Sequence, residues 1–161
     1  YAELKALATE HGEPALREEQ AKAAFNLINH LRASDMAGAQ ALYAELKALA
    51  TEHGEPALRE LQAKAAVNLI HDLGESDMAG AQALYAELKA LAAEHGEPAL
   101  REALVSATLI MGVGLTQQED KAGLEAMLAS LEQTFGQSLV DEVLRGAQEG
   151  TNRGDEGTNH G

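Results

Sequence analysis

The sequence predicts an all-α protein made of stacked helical units, and three observations carry that expectation. Residues 1–42 and 43–84 are nearly the same text, and a third copy begins at Tyr85, keeps the pattern through Glu102 and then diverges. A fixed period of this length marks an architecture in which each unit buries its apolar face against its neighbours. Alanine and leucine dominate while aromatics are only 3% of the residues, a composition that favours helix over strand. The punctuation is also regular. Gly12, Gly54 and Gly96 each follow a histidine and precede Glu-Pro, as expected where glycine closes one helix and proline opens the next.

Taken in order, the text predicts a half helix over 1–11. Two kinds of full helix then alternate. A first kind, A, covers 14–32, 56–73 and 98–113. A second kind, B, covers 35–53, 77–95 and 117–135. Ser34-Asp35 and Ser76-Asp77 offer N-caps for the first two B helices, and Thr116 for the third. Residues 139–147 read as the start of a fourth A helix that covers the last open face. The domain reading is therefore a repeat domain over 1–147, with units at about 14–53, 56–95 and 98–135 and a cap at 138–147. Residues 148–161 are rich in glycine and polar groups and read as a flexible tail.

Helix A places Leu16, Gln20, Ala23, Ala24, Leu27, Ile28 and Leu31 on one broad face. Helix B does the same with Met36, Ala39, Leu42, Tyr43, Leu46, Leu49 and Ala50. The many alanines allow close approach of antiparallel helices, and Tyr43 is large enough to fill the gap between units.

Charge and composition narrow the function. A net charge of −14 repels phosphate backbones and anionic membranes, so neither nucleic acid nor membrane is an expected partner. The chain has no cysteine, which removes disulfides and thiolate chemistry. No apolar run approaches the ~18 residues of a membrane span, and no signal peptide is visible. The chain opens at Tyr1 inside a repeat, so it reads as a piece of a longer array, with a cytoplasmic location expected. His11, His53 and His95 recur once per unit, too far apart to converge on a metal; they suit helix C-termini. Arg153-Gly154-Asp155 spells an integrin-binding tripeptide that short texts contain by chance. No catalytic constellation stands out, so no enzyme activity, cofactor or metal is expected.

From Ala21 the text AKAAFNLINHLRASDMAGAQALYAELKAL resembles a tetratricopeptide repeat. Asn26-Leu27 matches the common Asn-Leu of that family's first helix. Ala39 falls on the small residue of its second helix, Tyr43 on the aromatic, and Leu46 on a further packing position. The period of 42 exceeds the family's usual length of about 34. Ala24, Ala66 and Thr108 stand at its tryptophan position, and Ile28 and Ile70 at its glycine position, which Gly112 restores. The resemblance implies a right-handed solenoid of antiparallel helix hairpins whose A helices line a concave groove. It also implies a protein-interaction module that holds an extended peptide or partner segment there.

The first two copies differ at six places: Glu19/Leu61, Phe25/Val67, Asn29/His71, His30/Asp72, Arg32/Gly74 and Ala33/Glu75. All fall in helix A or the turn after it. Phe25, Asn29 and Arg32 share one stripe, and the unchanged Lys22 and Asn26 lie in the same arc. The expected groove therefore comprises Lys22, Phe25, Asn26, Asn29 and Arg32 from the first copy and Lys64, Val67, Asn68 and His71 from the second. The resemblance assigns Asn26 and Asn68 to a peptide backbone, and an amide offers both donor and acceptor. Lys22 and Lys64 would attract an acidic segment, the tail of the same or a neighbouring molecule included. In the third copy Ser106, Leu109, Ile110 and Val113 replace Lys64, Val67, Asn68 and His71. That change predicts an apolar patch, and either Leu109 and Val113 form a pocket there at the C-terminal end of the groove or the tail or the 115–120 turn folds over it. The alternative function is a self-assembling scaffold with no groove ligand, its copies joined through array ends or the tail.

Overall fold

The computed structural model describes residues 1–155, and among them every regular element is a helix. They are α1 Ala2–His11, α2 Pro14–Leu31, α3 Met36–His53, α4 Pro56–Ser76, α5 Met78–Glu94, α6 Pro98–Gln117, α7 Lys121–Phe135 and α8 Gln137–Asp155. The even-numbered helices pack in series, α2 on α4, α4 on α6 and α6 on α8. The odd-numbered ones bridge successive pairs. α3 touches α2 and α4, α5 touches α4 and α6, α7 touches α6 and α8, and α1 lies on α2.

The helix boundaries follow from local chemistry. Gly12 and Gly54 both take φ 63°, left-handed backbone that favours glycine, and their N–H groups donate to Ala8 O and Ala50 O. Pro14, Pro56 and Pro98 open α2, α4 and α6, where a missing N–H costs nothing. Asp35 and Asp77 cap α3 and α5 by accepting from the N–H of Gly38 and Gly80. A Cβ on Gly38 would fall 2.3 Å from Asp35 Oδ2, so the glycine makes room for the capping carboxylate.

Several boundaries differ from the sequence expectation. Gly96 is not left-handed; α5 ends at Glu94 and His95 is extended. α4 runs on to Ser76, which leaves Asp77 alone as the cap of α5. The expected cap Thr116 is not one. Its hydroxyl donates back to Gly112 O at 2.7 Å inside α6, which continues to Gln117. Asp120 caps α7 instead, accepting from Gly123 N at 2.8 Å. α8 passes the expected end at Ala147 and reaches Asp155, with the Arg153-Gly154-Asp155 backbone in its last turn. The remainder of the expected tail, 156–161, lies outside the described residues.

Identical residues are buried to different depths in the two copies. Leu16, Ala23, Leu27 and Leu31 of α2 are half-buried, whereas their α4 counterparts Leu58, Ala65, Leu69 and Leu73 are buried. α4 has neighbours on four sides (α2, α3, α5 and α6) and α2 has fewer. Complete burial of one such leucine is worth about 1.5–3 kcal/mol, so α4 is the best-anchored helix. α6 is long and apolar enough to cross a membrane by length and composition alone, contrary to the expectation that no segment would be. Its Leu100, Leu104, Met111 and Leu115 are instead buried against the neighbouring helices.

A repeated arginine joins one copy to the next. Arg59 is buried; it donates to Gly54 O at 2.6 Å and pairs with the Glu97 carboxylate at the start of α6. Arg17 does the same with the Gly12 carbonyl and with Glu55, the latter at 2.5 Å. Arg101 makes no bond to Gly96 and pairs with Glu142 of α8 at 3.0 Å. The hydrogen bond from Arg59, more than its charge, holds the Glu97 carboxyl below its ordinary range. Tyr43 fills the space between copies, 5% exposed, and burial pushes its hydroxyl up to about 12 against the opposing hydrogen bond with Gln62. Tyr85 is raised in the same direction by burial, with its hydroxyl 3.0 Å from Thr108 Oγ1.

Removing the clamp by Arg59→Ala is expected to cost about 2 kcal/mol, because it strands a half-buried carboxylate and a turn carbonyl. Lys64→Ala, which breaks an exposed pair within one helix, is expected to cost about 0.5 kcal/mol or less. Urea denaturation of the two variants checks the ratio, and equal losses would deny the clamp its role. The tyrosines predict an alkaline limit. Below about pH 10 Tyr43 is protonated in both states and its full contribution is present. Above it the unfolded chain releases the proton first, so stability falls as pH rises from 10.0 to about 12. Thermal melts across that window should show a shallower fall for Tyr43→Phe than for the parent; the same slope in both would mean that another group sets the limit.

Candidate functional site

The second- and third-copy parts of the stripe expected to bind a ligand lie along the seam between α4 and α6, joined there by Phe25 of α2. On α4, Glu60, Lys64, Val67, Asn68, His71 and Glu75 share one side, each lying three or four residues from another of the set. On α6 the facing residues are Glu102, Ala103, Ser106, Leu109, Ile110 and Val113. Two shallow depressions lie in series on this seam. The first, about 360 Å³, takes in Phe25, Lys64, Val67 and Asn68. The second, about 340 Å³, takes in His71, Glu75, Leu109 and Val113. Beyond α6 the seam opens into a cleft of about 580 Å³, again lined by Leu109 and Val113 and closed by α7 and α8.

The structure gives several of the expected ligand-binding groups to other partners. Lys22 Nζ bonds Glu18 and Glu19, each at 2.9 Å. These hydrogen bonds raise its pKa. Lys64 Nζ bonds Glu60 at 2.6 Å. The two lysines expected to give the groove a positive charge are thus neutralised within their own helices. Asn68 Nδ2 donates to Asn29 Oδ1 at 2.8 Å, so these two amides serve each other. Asn26 is exposed and stands outside the three depressions. His71 Nδ1 lies 3.0 Å from Asp72 Oδ1.

Arg32 explains part of the difference between the copies. Its Nη1 reaches Asp72 Oδ2 at 2.8 Å and Asn68 O at 3.4 Å. Arg32 and Asp72 are both places where the copies differ, and they meet across the α2–α4 contact. Asn29, a third such place, is the partner of Asn68. Leu61, where the first copy has Glu19, packs against the core around α3 and α4. The drift in helix A therefore includes side chains that join the two copies to each other.

Comparison with protein families, with curated proteins and with solved structures finds no match. The site has to be read from its own chemistry. Among the described residues no three His, Cys, Asp or Glu side chains are placed to hold a metal ion. The cleft beyond α6 is lined by uncharged groups, with Leu124, Met127 and Leu128 from α7 and Val143 and Leu144 from α8. Its hydroxyls are engaged, Thr108 to Leu104 O and Tyr85, and Thr116 to Gly112 O. Gly146 lets α8 approach α6 here, since a Cβ on it would fall 3.0 Å from Leu109 Cδ1. Val113 and Leu144 are 58% and 45% exposed, large apolar groups left facing solvent at the cleft.

Of this lining the sequence pattern points to Leu109 and Val113, but to none of the residues that α7 and α8 contribute. The missing signal was the apolar spacing of Leu124, Met127, Leu128 and Leu131, three and four apart beside the divergent copy.

The pairing of Arg32 with Asp72 is expected to show as a coupling of about 0.5–1 kcal/mol in a double-mutant cycle of Arg32→Ala and Asp72→Ala. Strictly additive losses would leave these differences between the copies without a structural account.

Proposed function

We propose that the chain is a protein-interaction module of tetratricopeptide-like type. In this reading three 42-residue hairpin units form a right-handed solenoid, and α8 covers its last face. A partner segment lies along the α4–α6 seam and places an apolar side chain in the cleft beyond α6. The observation that carries the reading is that cleft, about 580 Å³ with an uncharged lining and two exposed apolar side chains at its mouth. Its size falls in the range of binding pockets, about 300–1,000 Å³. The continuity of Leu109 and Val113 with the seam supports a segment rather than a compact small molecule.

The specificity differs from that first expected. Asn68 is bonded to Asn29 and the lysines to glutamates, so burial of apolar side chains supplies the affinity. The reading is one of binding rather than catalysis, with a protein or peptide as partner.

Selection of a displayed peptide library on the folded chain tests it. Enriched peptides should lose most of their affinity to Leu109→Ser with Val113→Ser, and keep it against Ala44→Ser with Ala86→Ser on α3 and α5. Peptides indifferent to the first pair would place binding elsewhere. A chain that enriches no peptide but associates with itself as concentration rises would favour the scaffold reading.

A further inference from the structure

We infer that the segment bound along this seam is cationic, with lysine or arginine flanking its apolar anchor; this rests on the binding reading above. The charged groups bordering the two depressions are Glu60, Lys64, Glu75, Glu102 and His71. Lys64 and Glu60 cancel each other at 2.6 Å. His71 sits on Asp72, which also takes Arg32. Glu75 and Glu102 remain, one near each end of the seam, and among the described residues no ion pair engages either side chain. Neither lysine of the stripe is available to an anionic ligand, since Lys22 bonds Glu18 and Glu19. An acidic segment would meet two uncompensated carboxylates within a chain of net charge −14. A basic one would find those carboxylates beside the seam and a field that speeds its approach.

The cleft adds the second half of the specificity. Its lining holds no charged side chain and its threonine hydroxyls are already bonded. A charged group inserted there would lose its water without meeting an opposite charge, whereas an aliphatic side chain would cover Val113 and Leu144. Acidic rim and uncharged cleft together therefore select a basic segment with one apolar anchor.

Three synthetic peptides of one length test this, each with a single leucine anchor flanked on both sides by lysine, serine or glutamate. Binding is measured by fluorescence anisotropy at two salt concentrations, and circular dichroism monitors the fold of every variant. The leucine–lysine peptide should bind about tenfold or more tighter than the leucine–serine one, less so at high salt, and the leucine–glutamate peptide weakest of all. Glu75→Gln with Glu102→Gln should weaken the leucine–lysine peptide by about fivefold or more. Glu3→Gln with Glu52→Gln, which removes the same charge from exposed sites elsewhere, should leave it unchanged. Val113→Ser with Leu144→Ser changes two exposed residues and should abolish binding with the fold intact. If the serine or glutamate peptide binds as well as the lysine one, the cationic inference fails while the binding reading stands. Equal weakening by the seam and remote glutamine pairs would mean diffuse attraction to an acidic body and would also overturn it. If none of the three peptides binds, both the inference and the reading beneath it are lost.

Discussion

The structure depends on one contact made repeatedly, the arginine that ties a turn to the helix two elements on. Arg59 sits early in α4, where it bonds the Gly54 carbonyl behind it and the Glu97 carboxylate ahead of it. Three chain segments are thereby fixed by one planar group, geometry that a guanidinium suits and an ammonium does not. The turn text His-Gly-Glu-Pro supplies both acceptors, the glycine carbonyl and the N-cap glutamate. Each turn can thus receive the arginine of its own copy and that of the copy before. The clamp holds α4 against α6 at their N-terminal ends, and the seam between them is where the candidate site lies. Packing of Leu58, Leu69, Leu100 and Leu104 supplies more free energy than the clamp. Leucine and alanine packing tolerates sliding, however, and a three-point hydrogen-bonded contact does not.

The all-helical fold was legible because helix signals were redundant. Gly-Glu-Pro stops and starts occur in each copy, and the Asp caps of α3 and α5 were correctly placed. The errors fell where a signal occurs once or where context decides. Asp120 caps α7 through the same Asp-x-x-Gly spacing as Asp35 and Asp77. That spacing was readable, but Thr116 stood nearer to the end of the apolar run. Gly96 has the same neighbours as Gly54 and a different backbone conformation. There α5 ends at Glu94, His95 is extended, and Arg101 pairs with Glu142 of α8 rather than with the turn carbonyl.

Less of the candidate site was legible than of the fold, for a physical reason. Pattern identifies which residues share a face, and it placed Phe25, Val67, His71, Leu109 and Val113 on the seam. It does not say which polar groups on that face are already engaged. Lys22 and Lys64 have glutamates three or four residues away, so their neutralisation was readable as helix pairing. Arg32 with Asp72 and Asn29 with Asn68 are pairs between copies, about one period apart. In a repeat, residues one period apart are neighbours, and a change in one copy alters the partner of the next. Differences between copies therefore carry two messages, contact with a ligand and contact with the adjacent copy. Only coordinates separate them.

The cleft beyond α6 shows what happens where the repeat text stops. In α4 both flanks are covered by helices of similar sequence, and Leu69, Ile70 and Leu73 are all buried. α6 carries apolar residues further round its circumference, yet α7 and α8 depart from the repeat text and do not cover them all. Leu139, Val140 and Val143 of α8 bury themselves near its start. From Leu144 onward α8 offers Gly146, Ala147 and Gly150 to the cleft, side chains too small to fill it. Larger apolar residues at Ala147 and Gly150, where Gly150 has open space around it, would cover more of the lining, the ordinary solution for a helix end. Small residues on one wall opposite Leu109, Val113 and Met127 on the others leave a concave apolar surface instead. A helix that became more apolar just where its cover became thinner has an excess of unburied hydrocarbon. A bound segment of the kind proposed above would remove that surface from water without changing the fold.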